Sequence, residues 1–144
     1  MKIAIGCDHG GFELKENLTK KLKDLGYEIF DFGTYSLDSV DYPDFAVEVS
    51  KNVAAKLSDF GVLICTTGEG ICMAANKVKG IRCGIGYNDE VSEMIRRHND
   101  ANIIAFGAKY TTLDEAVKRV QIFTKTAFEG GRHLRRVDKI NCIK

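Results

Sequence analysis

Gly61-Val62-Leu63-Ile64-Cys65-Thr66-Thr67-Gly68-Glu69-Gly70-Ile71-Cys72-Met73-Ala74-Ala75 carries the most information about the fold. Gly61–Cys65 is a short apolar run ending in a glycine-containing turn, which reads as a buried strand. After the turn a helix is expected over Ile71–Lys77. A strand feeding a tight turn and then a helix is the opening of a parallel βαβ unit.

The same alternation extends in both directions. Upstream, Lys2–Cys7 reads as a strand, and Leu14, Leu18, Leu22 and Leu25 recur at helical spacing before Gly26, a residue suited to a helix C-terminus. Tyr27–Phe32 reads as the second strand and Gly33–Asp41 as a loop. Pro43 then opens a helix with Phe45, Val49 and Val53 on one face. Downstream, Ile81–Ile85 reads as a strand and Asn88 caps a helix carrying Val91, Met94 and Ile95. Asn102–Phe106 is the last strand. Thr112-Leu113-Asp114-Glu115 forms a capping box for a helix with Val117, Val120, Phe123 and Ala127 on its face. Five strands alternating with five helices imply an α/β fold: one doubly wound, mostly parallel five-stranded sheet with helices on both faces, Rossmann-like or flavodoxin-like, with strand order 2-1-3-4-5. Residues 1–144 are expected to form one domain, with the C-terminal segment 129–144 reaching out for phosphate binding or oligomer contacts.

Composition narrows the function. The chain has 144 residues, 44% hydrophobic and 28% charged, with 21 basic against 20 acidic residues and a net charge of +1. Mixed signs without a basic stripe give no footprint for nucleic acid or an anionic membrane. Five scattered cysteines without a C-x-x-C pair fit neither a disulfide framework nor a zinc site. No membrane span or signal peptide is read, and a reducing cytoplasm is expected. Ile71-Cys72-Met73-Ala74-Ala75 is apolar on every side of its helix, so a partner subunit is expected to cover it.

Open α/β sheets bind ligands at the carboxyl ends of their strands, where the winding reverses. Two reactive segments fall there: Cys7-Asp8-His9-Gly10-Gly11 after the first strand and Cys65-Thr66-Thr67-Gly68-Glu69-Gly70 after the third. A thiol at a strand end, before a helix start, lies near free N–H groups and the positive end of a helix dipole, which favour its thiolate. Gly68-Glu69-Gly70 leaves N–H groups open to an oxygen anion, although a plain tight turn would have the same residues. Asp8 and His9 suit either helix capping or acid/base and anion-binding chemistry. His98-Asn99-Asp100 falls at the opposite, amino ends of the strands, so a catalytic His98 must serve a neighbouring subunit. Glu129-Gly130-Gly131-Arg132-His133-Leu134-Arg135-Arg136 reads equally as a solvated charge run or a phosphate clamp.

Gly6-Cys7-Asp8-His9, Asp31-Phe32-Gly33-Thr34, Asp41-Tyr42-Pro43, the Cys65 loop with Ala74-Ala75-Asn76-Lys77, His98-Asn99-Asp100 and Glu129-Gly130-Gly131-Arg132-His133 occur in the order seen in the type B ribose-5-phosphate isomerases. The chain resembles that group, which shares a superfamily with the galactose-6-phosphate isomerase subunits, nearly end to end. The resemblance implies aldose–ketose isomerisation of ribose 5-phosphate through a cis-enediolate. Cys65 matches the base at C2, and Thr67 the hydroxyl that moves a proton between O1 and O2. The loop from Thr66 through Gly68 and Glu69 to Gly70 matches the enediolate-binding N–H groups. His98 matches a ring-opening acid/base lent by the partner chain, with Asp8 assisting. His9, Arg132 and Arg136 match phosphate ligands, and Asn99 a sugar contact. The resemblance implies no metal or cofactor, and a homodimer or tetramer with shared sites.

Three positions depart from the commonest pattern of the group. Thr66 stands for Gly, Glu69 occupies the middle of the loop, and Lys109 replaces an expected Arg, keeping the charge but not the bidentate fork. Some relatives use a loop Glu as base; Ile71 stands at that position here, which leaves the base to Cys65. Two other functions compete: a six-carbon isomerase acting on allose 6-phosphate or galactose 6-phosphate, and a non-catalytic sugar-phosphate-binding module with an inert Cys65.

Overall fold

The computed structural model describes residues 1–144. Its strands are β1 (Lys2–Cys7), β2 (Glu28–Asp31), β3 (Phe60–Cys65), β4 (Cys83–Ile85) and β5 (Ile103–Gly107). Its helices are α1 (Phe12–Asp24), α2 (Tyr42–Ala54), α3 (Glu69–Ala75), α4 (Asp89–Arg97), α5 (Leu113–Lys125) and α6 (Arg132–Asn141), with a 3-10 turn over His9–Gly11. All strand pairs are parallel. The α/β class, the single five-stranded sheet and the helices on both faces agree with the sequence reading.

The strand order does not. The sheet runs β2-β1-β3-β5-β4, with the last two strands exchanged relative to the expected 2-1-3-4-5. The cause is burial. Ile103–Gly107 is buried at every position and suits a slot between two strands, whereas Cys83–Ile85 is only half-buried and suits an edge. β5 therefore lies between β3 and β4, pairing Gly61 with Ile103 and Cys65 with Gly107.

Alternating side chains along the strands feed two cores. On one face Ile3, Ile5, Val62, Ile64, Ile104 and Phe106 meet Leu18 and Leu22 of α1 and Val120 and Phe123 of α5. On the other, Ala4, Leu63, Cys65, Ile103 and Ala105 meet Val49 and Val53 of α2 and Ile71 and Ala75 of α3. Local signals place the helix ends. Asn88 accepts the Val91 N–H, Thr112 and Glu115 complete the capping box, and Gly26 takes a positive φ of 93° after α1. Ala127, assigned to the face of α5, lies beyond its end and is exposed. No helix is long and apolar enough to cross a membrane.

Beneath the sheet's β2 side, Lys15 is fully buried, its Nζ 2.6 Å from Asp31 Oδ2 and 2.9 Å from Glu16 Oε1. Asp31 Oδ1 also accepts the Gly33 N–H at 2.9 Å. The buried charge is thus matched, and the pairing ties α1 to the chain leaving β2.

The basic tail is helical. Arg132–Asn141 forms α6, entered through Gly130 and Gly131 with φ of 66° and 54°. His133 and Val137, four residues apart, are its buried stripe. The signal was that single i, i+4 pair among exposed charges.

Candidate active site

The switch in winding direction falls between β1 and β3, whose pairing runs from Ile3 with Phe60 to Cys7 with Ile64. Their carboxyl ends bring the two reactive segments together. Asp8 is buried, and its Oδ1 accepts the N–H groups of Gly10 at 2.9 Å and Gly11 at 3.2 Å. Capping is thus its visible work, and its second oxygen makes no such bond. His9 Nδ1 accepts the Val40 N–H at 3.2 Å, which leaves the ring proton on Nε2 as a donor. A Cβ on Gly10 would run into Thr66 Oγ1 and stand 3.3 Å from the Thr66 backbone nitrogen, so the β1 and β3 loops touch across the crevice.

Cys65 is 5% exposed and belongs to the core between the sheet and α2–α3. The Gly68 N–H donates to its Sγ at 3.1 Å, fixing the sulfur against the loop. Gly68 holds a left-handed φ of 81°, and a Cβ there would meet the Gly107 nitrogen at 2.9 Å. This close approach of β5 to the loop accounts for glycine at both positions. The reversed turn leads into α3, whose first residue is Glu69. Glu69 is exposed, and its N–H donates to Thr67 Oγ1 at 3.3 Å. Its side chain borders the same cavity as Thr67, Gly107 and Tyr110. Lys109 donates its N–H to the Thr66 carbonyl at 3.1 Å, so it stands at the same strand edge with an exposed side chain. Tyr42 closes the other side, its phenol ring filling the space a Cβ on Gly70 would need. Sequence reasoning gave Tyr42 no role, although Asp41-Tyr42-Pro43 was already a recognised motif.

The remaining cysteines separate by environment. Cys7 is fully buried, and desolvation pushes its thiol up to about 12, against the opposing pull of Lys15. Cys142 is exposed. Iodoacetamide at pH 8 is therefore expected to label Cys142 and spare Cys7 until denaturant is added, as read by peptide mass mapping. The same shift sets the sign of an alkaline effect. Between pH 9 and 12 the folded chain keeps a proton that the unfolded chain loses, so stability falls by up to about 1.4 kcal/mol per pH unit from this group.

His98, Asn99, Arg132 and Arg136 are not in this crevice. His98 ends α4 and precedes β5, at the amino edge of the sheet. Cys65 pairs with Gly107 at the other end of that strand, about 13 Å from Ile103 at roughly 3.3 Å per residue. At the amino edge, His98 stacks on His133 with centroids 4.2 Å apart and planes 14° from parallel. Glu129 Oε2 lies 3.5 Å from His98 Nε2 and 3.9 Å from His133 Nε2, and Glu129 Oε1 lies 3.2 Å from Arg97 Nη2. Desolvation holds His133 below the usual histidine range, helped by the neighbouring guanidinium groups of Arg132 and Arg136. Against desolvation, which raises it, the Arg97 guanidinium holds Glu129 below the usual carboxylate range. Glu129 and His133 were read as part of the basic tail and of a shared motif, without roles of their own; their i, i+4 spacing was the available signal. One chain thus carries two separate clusters on opposite edges of one sheet.

An open α/β sheet with a thiol and an N–H-lined turn at its switch point defines a crevice-binding protein of the doubly wound class. The ribose/galactose isomerase family model matches residues 3–140. The ribose-5-phosphate isomerase B of Escherichia coli is 43% identical over 143 residues, covering 99% of this chain and 96% of the relative. The solved ribose-5-phosphate isomerase B of Clostridium thermocellum has a TM-score of 0.96 at 50% identity, covering 98% and 95%. That of Mycoplasma genitalium, crystallised with bound ribulose-5-phosphate, has a TM-score of 0.92 at 41% identity, covering 97% and 93%. The chain belongs to the ribose/galactose isomerase family.

Proposed function

We propose that this chain interconverts D-ribose 5-phosphate and D-ribulose 5-phosphate in sites shared between two copies. The observation that carries the reading is the split of the matching residues into a carboxyl-edge cluster around Cys65 and an amino-edge cluster around His98. Neither half holds both an enolisation base and a ring-opening group. Two copies related by a twofold axis supply each crevice with the other's amino-edge cluster. Exposed Tyr42, Met73, Tyr87 and Tyr110 around the carboxyl edge provide apolar surface for that contact, Met73 being 64% exposed on α3.

In this reading the partner copy's histidine at position 98 moves the proton that opens the furanose ring, assisted by the second oxygen of Asp8. Cys65, as thiolate, removes the proton from C2, and the electron pair forms the C1–C2 double bond of a cis-enediolate. Backbone N–H groups from Thr66 to Gly70 face the developing charge; fixed donors of this kind contribute about 3–4 kcal/mol each. Thr67 passes a proton between O1 and O2, and the Cys65 thiol returns its proton at C1. His9, through Nε2–H, joins Lys109 and the partner's counterparts of Arg132 and Arg136 on the phosphate, while the partner's counterpart of Asn99 serves a sugar hydroxyl. No metal takes part in these steps, and a reducing cytoplasm keeps the thiol available.

The test is a direct isomerase assay on purified protein. Turnover of ribose 5-phosphate is expected, with kcat/KM higher by roughly tenfold or more than for allose 6-phosphate or galactose 6-phosphate, whose extra carbon displaces the phosphate. A six-carbon preference overturns the substrate assignment. Saturable binding without turnover makes the chain a binding module instead.

A further inference from the structure

The proposed reaction draws on His98 but leaves Glu129 and His133 without a part, although the three converge at the amino edge. One ligating atom from each lies within 4.8 Å of the other two. We propose that His98, Glu129 and His133 form a binding site for a divalent transition-metal ion of the Zn2+, Co2+ or Ni2+ class, through two imidazole nitrogens and one carboxylate oxygen.

Two histidines and a carboxylate are a donor set suited to these ions, with the remaining coordination positions left to water. Around an ion with bonds of about 2.0–2.2 Å, ligand atoms stand about 3.3 Å apart. Glu129 Oε2 already lies 3.5 Å from His98 Nε2 and 3.9 Å from His133 Nε2. The required movement is a tilt: the rings are 14° from parallel, and their nitrogen lone pairs converge on one point only if one ring leans toward the other. His98 has that freedom, its side chain being 30% exposed against 11% for His133.

The surroundings prepare each ligand. Arg97 occupies Glu129 Oε1 and accepts the Glu129 N–H on its carbonyl oxygen at 3.0 Å, which orients Oε2 toward the imidazoles. His133 stands four residues on from Glu129, its ring stacked on His98 and its Nε2 3.9 Å from Glu129 Oε2. The guanidinium groups of Arg97, Arg132 and Arg136 oppose a dication, so binding is weaker than at a structural zinc site.

Occupation would take the lone pair of His98, making the ion an inhibitor of ring opening. That consequence rests on the isomerase reading; metal binding itself does not.

The test titrates chelator-stripped full-length protein with Co2+, following visible absorption and metal content after gel filtration. One Co2+ per chain is expected, with the weak bands of nitrogen and oxygen coordination. His133→Gln and the surface substitution Glu129→Gln are each expected to weaken binding at least about tenfold. Failure to bind Co2+ up to millimolar concentration overturns the site. So does binding unchanged in both variants, or an intense sulfur charge-transfer band that assigns the ion to the cysteines. In the parallel assay with ribose 5-phosphate, Co2+ should abolish wild-type turnover and a chelator restore it. Undiminished turnover with the site spectroscopically filled overturns the inhibitory role. Absence of turnover even in stripped protein counts against the isomerase reading alone, and the Co2+ spectrum still decides the site.

Discussion

Replacing Cys65 with alanine will lower kcat on ribose 5-phosphate by about 10²–10⁴-fold while the protein stays folded and keeps its oligomeric state. The loss is large because C2 carries a weakly acidic hydrogen, and the proposed reaction assigns it no second base: Ile71, at the position where some relatives carry a loop Glu, cannot ionise. The structural cost is small. Cys65 adds one sulfur to an apolar core, and deleting it costs about 1 kcal/mol of packing, far below what would unfold a domain of this size. Cys65→Ser separates chemistry from packing further. The hydroxyl preserves size and can still accept the Gly68 N–H, yet it does not ionise near neutrality, so it should be nearly as inactive as alanine. Steady-state kinetics with circular dichroism and size-exclusion chromatography check this; wild-type turnover in either variant removes Cys65 from the mechanism.

Mixing two inactive proteins will restore activity. Cys65→Ala and His98→Asn chains, unfolded together and reassembled in equal amounts, should recover about a quarter of wild-type turnover, because half the dimers are mixed and each of those has one site with both residues intact. The expectation follows from the sheet, which holds Cys65 at its carboxyl edge and His98 at its amino edge, the length of β5 apart. If one chain supplied both groups, every site would lack one of them and the mixture would stay dead. The outcome is thus qualitative and insensitive to the kinetic details of either variant.

Much of this arrangement was legible in the residues because it depends on local rules. Alternating apolar runs and amphipathic stretches specified parallel βαβ units, and Thr112, Asn88 and Gly26 marked helix ends through their own hydrogen bonds or backbone freedom. Placing Asp8 and Cys65 on one crevice required only that ligands sit at strand carboxyl ends where the winding reverses. The strand order was misjudged because neighbouring positions in the sheet are a competition for burial: the wholly buried β5 displaced the three-residue β4 to the edge. The α6 helix was obscured by its charge, with only His133 and Val137 to mark a buried side.

What the sequence determined by itself was the fold class, the cysteine strand end and the glycine turn, since each follows from spacing within a few residues and from which side chains tolerate water. What only the tertiary structure decided was which distant segments meet. Tyr42 against Gly70, the Gly68 N–H on Cys65 sulfur and the stacking of His98 on His133 beside Glu129 depend on where crossovers land and how helices pack. Those placements are fixed by the close packing of two cores on one twisted sheet, a constraint that acts between residues far apart in the chain and leaves no periodicity in it.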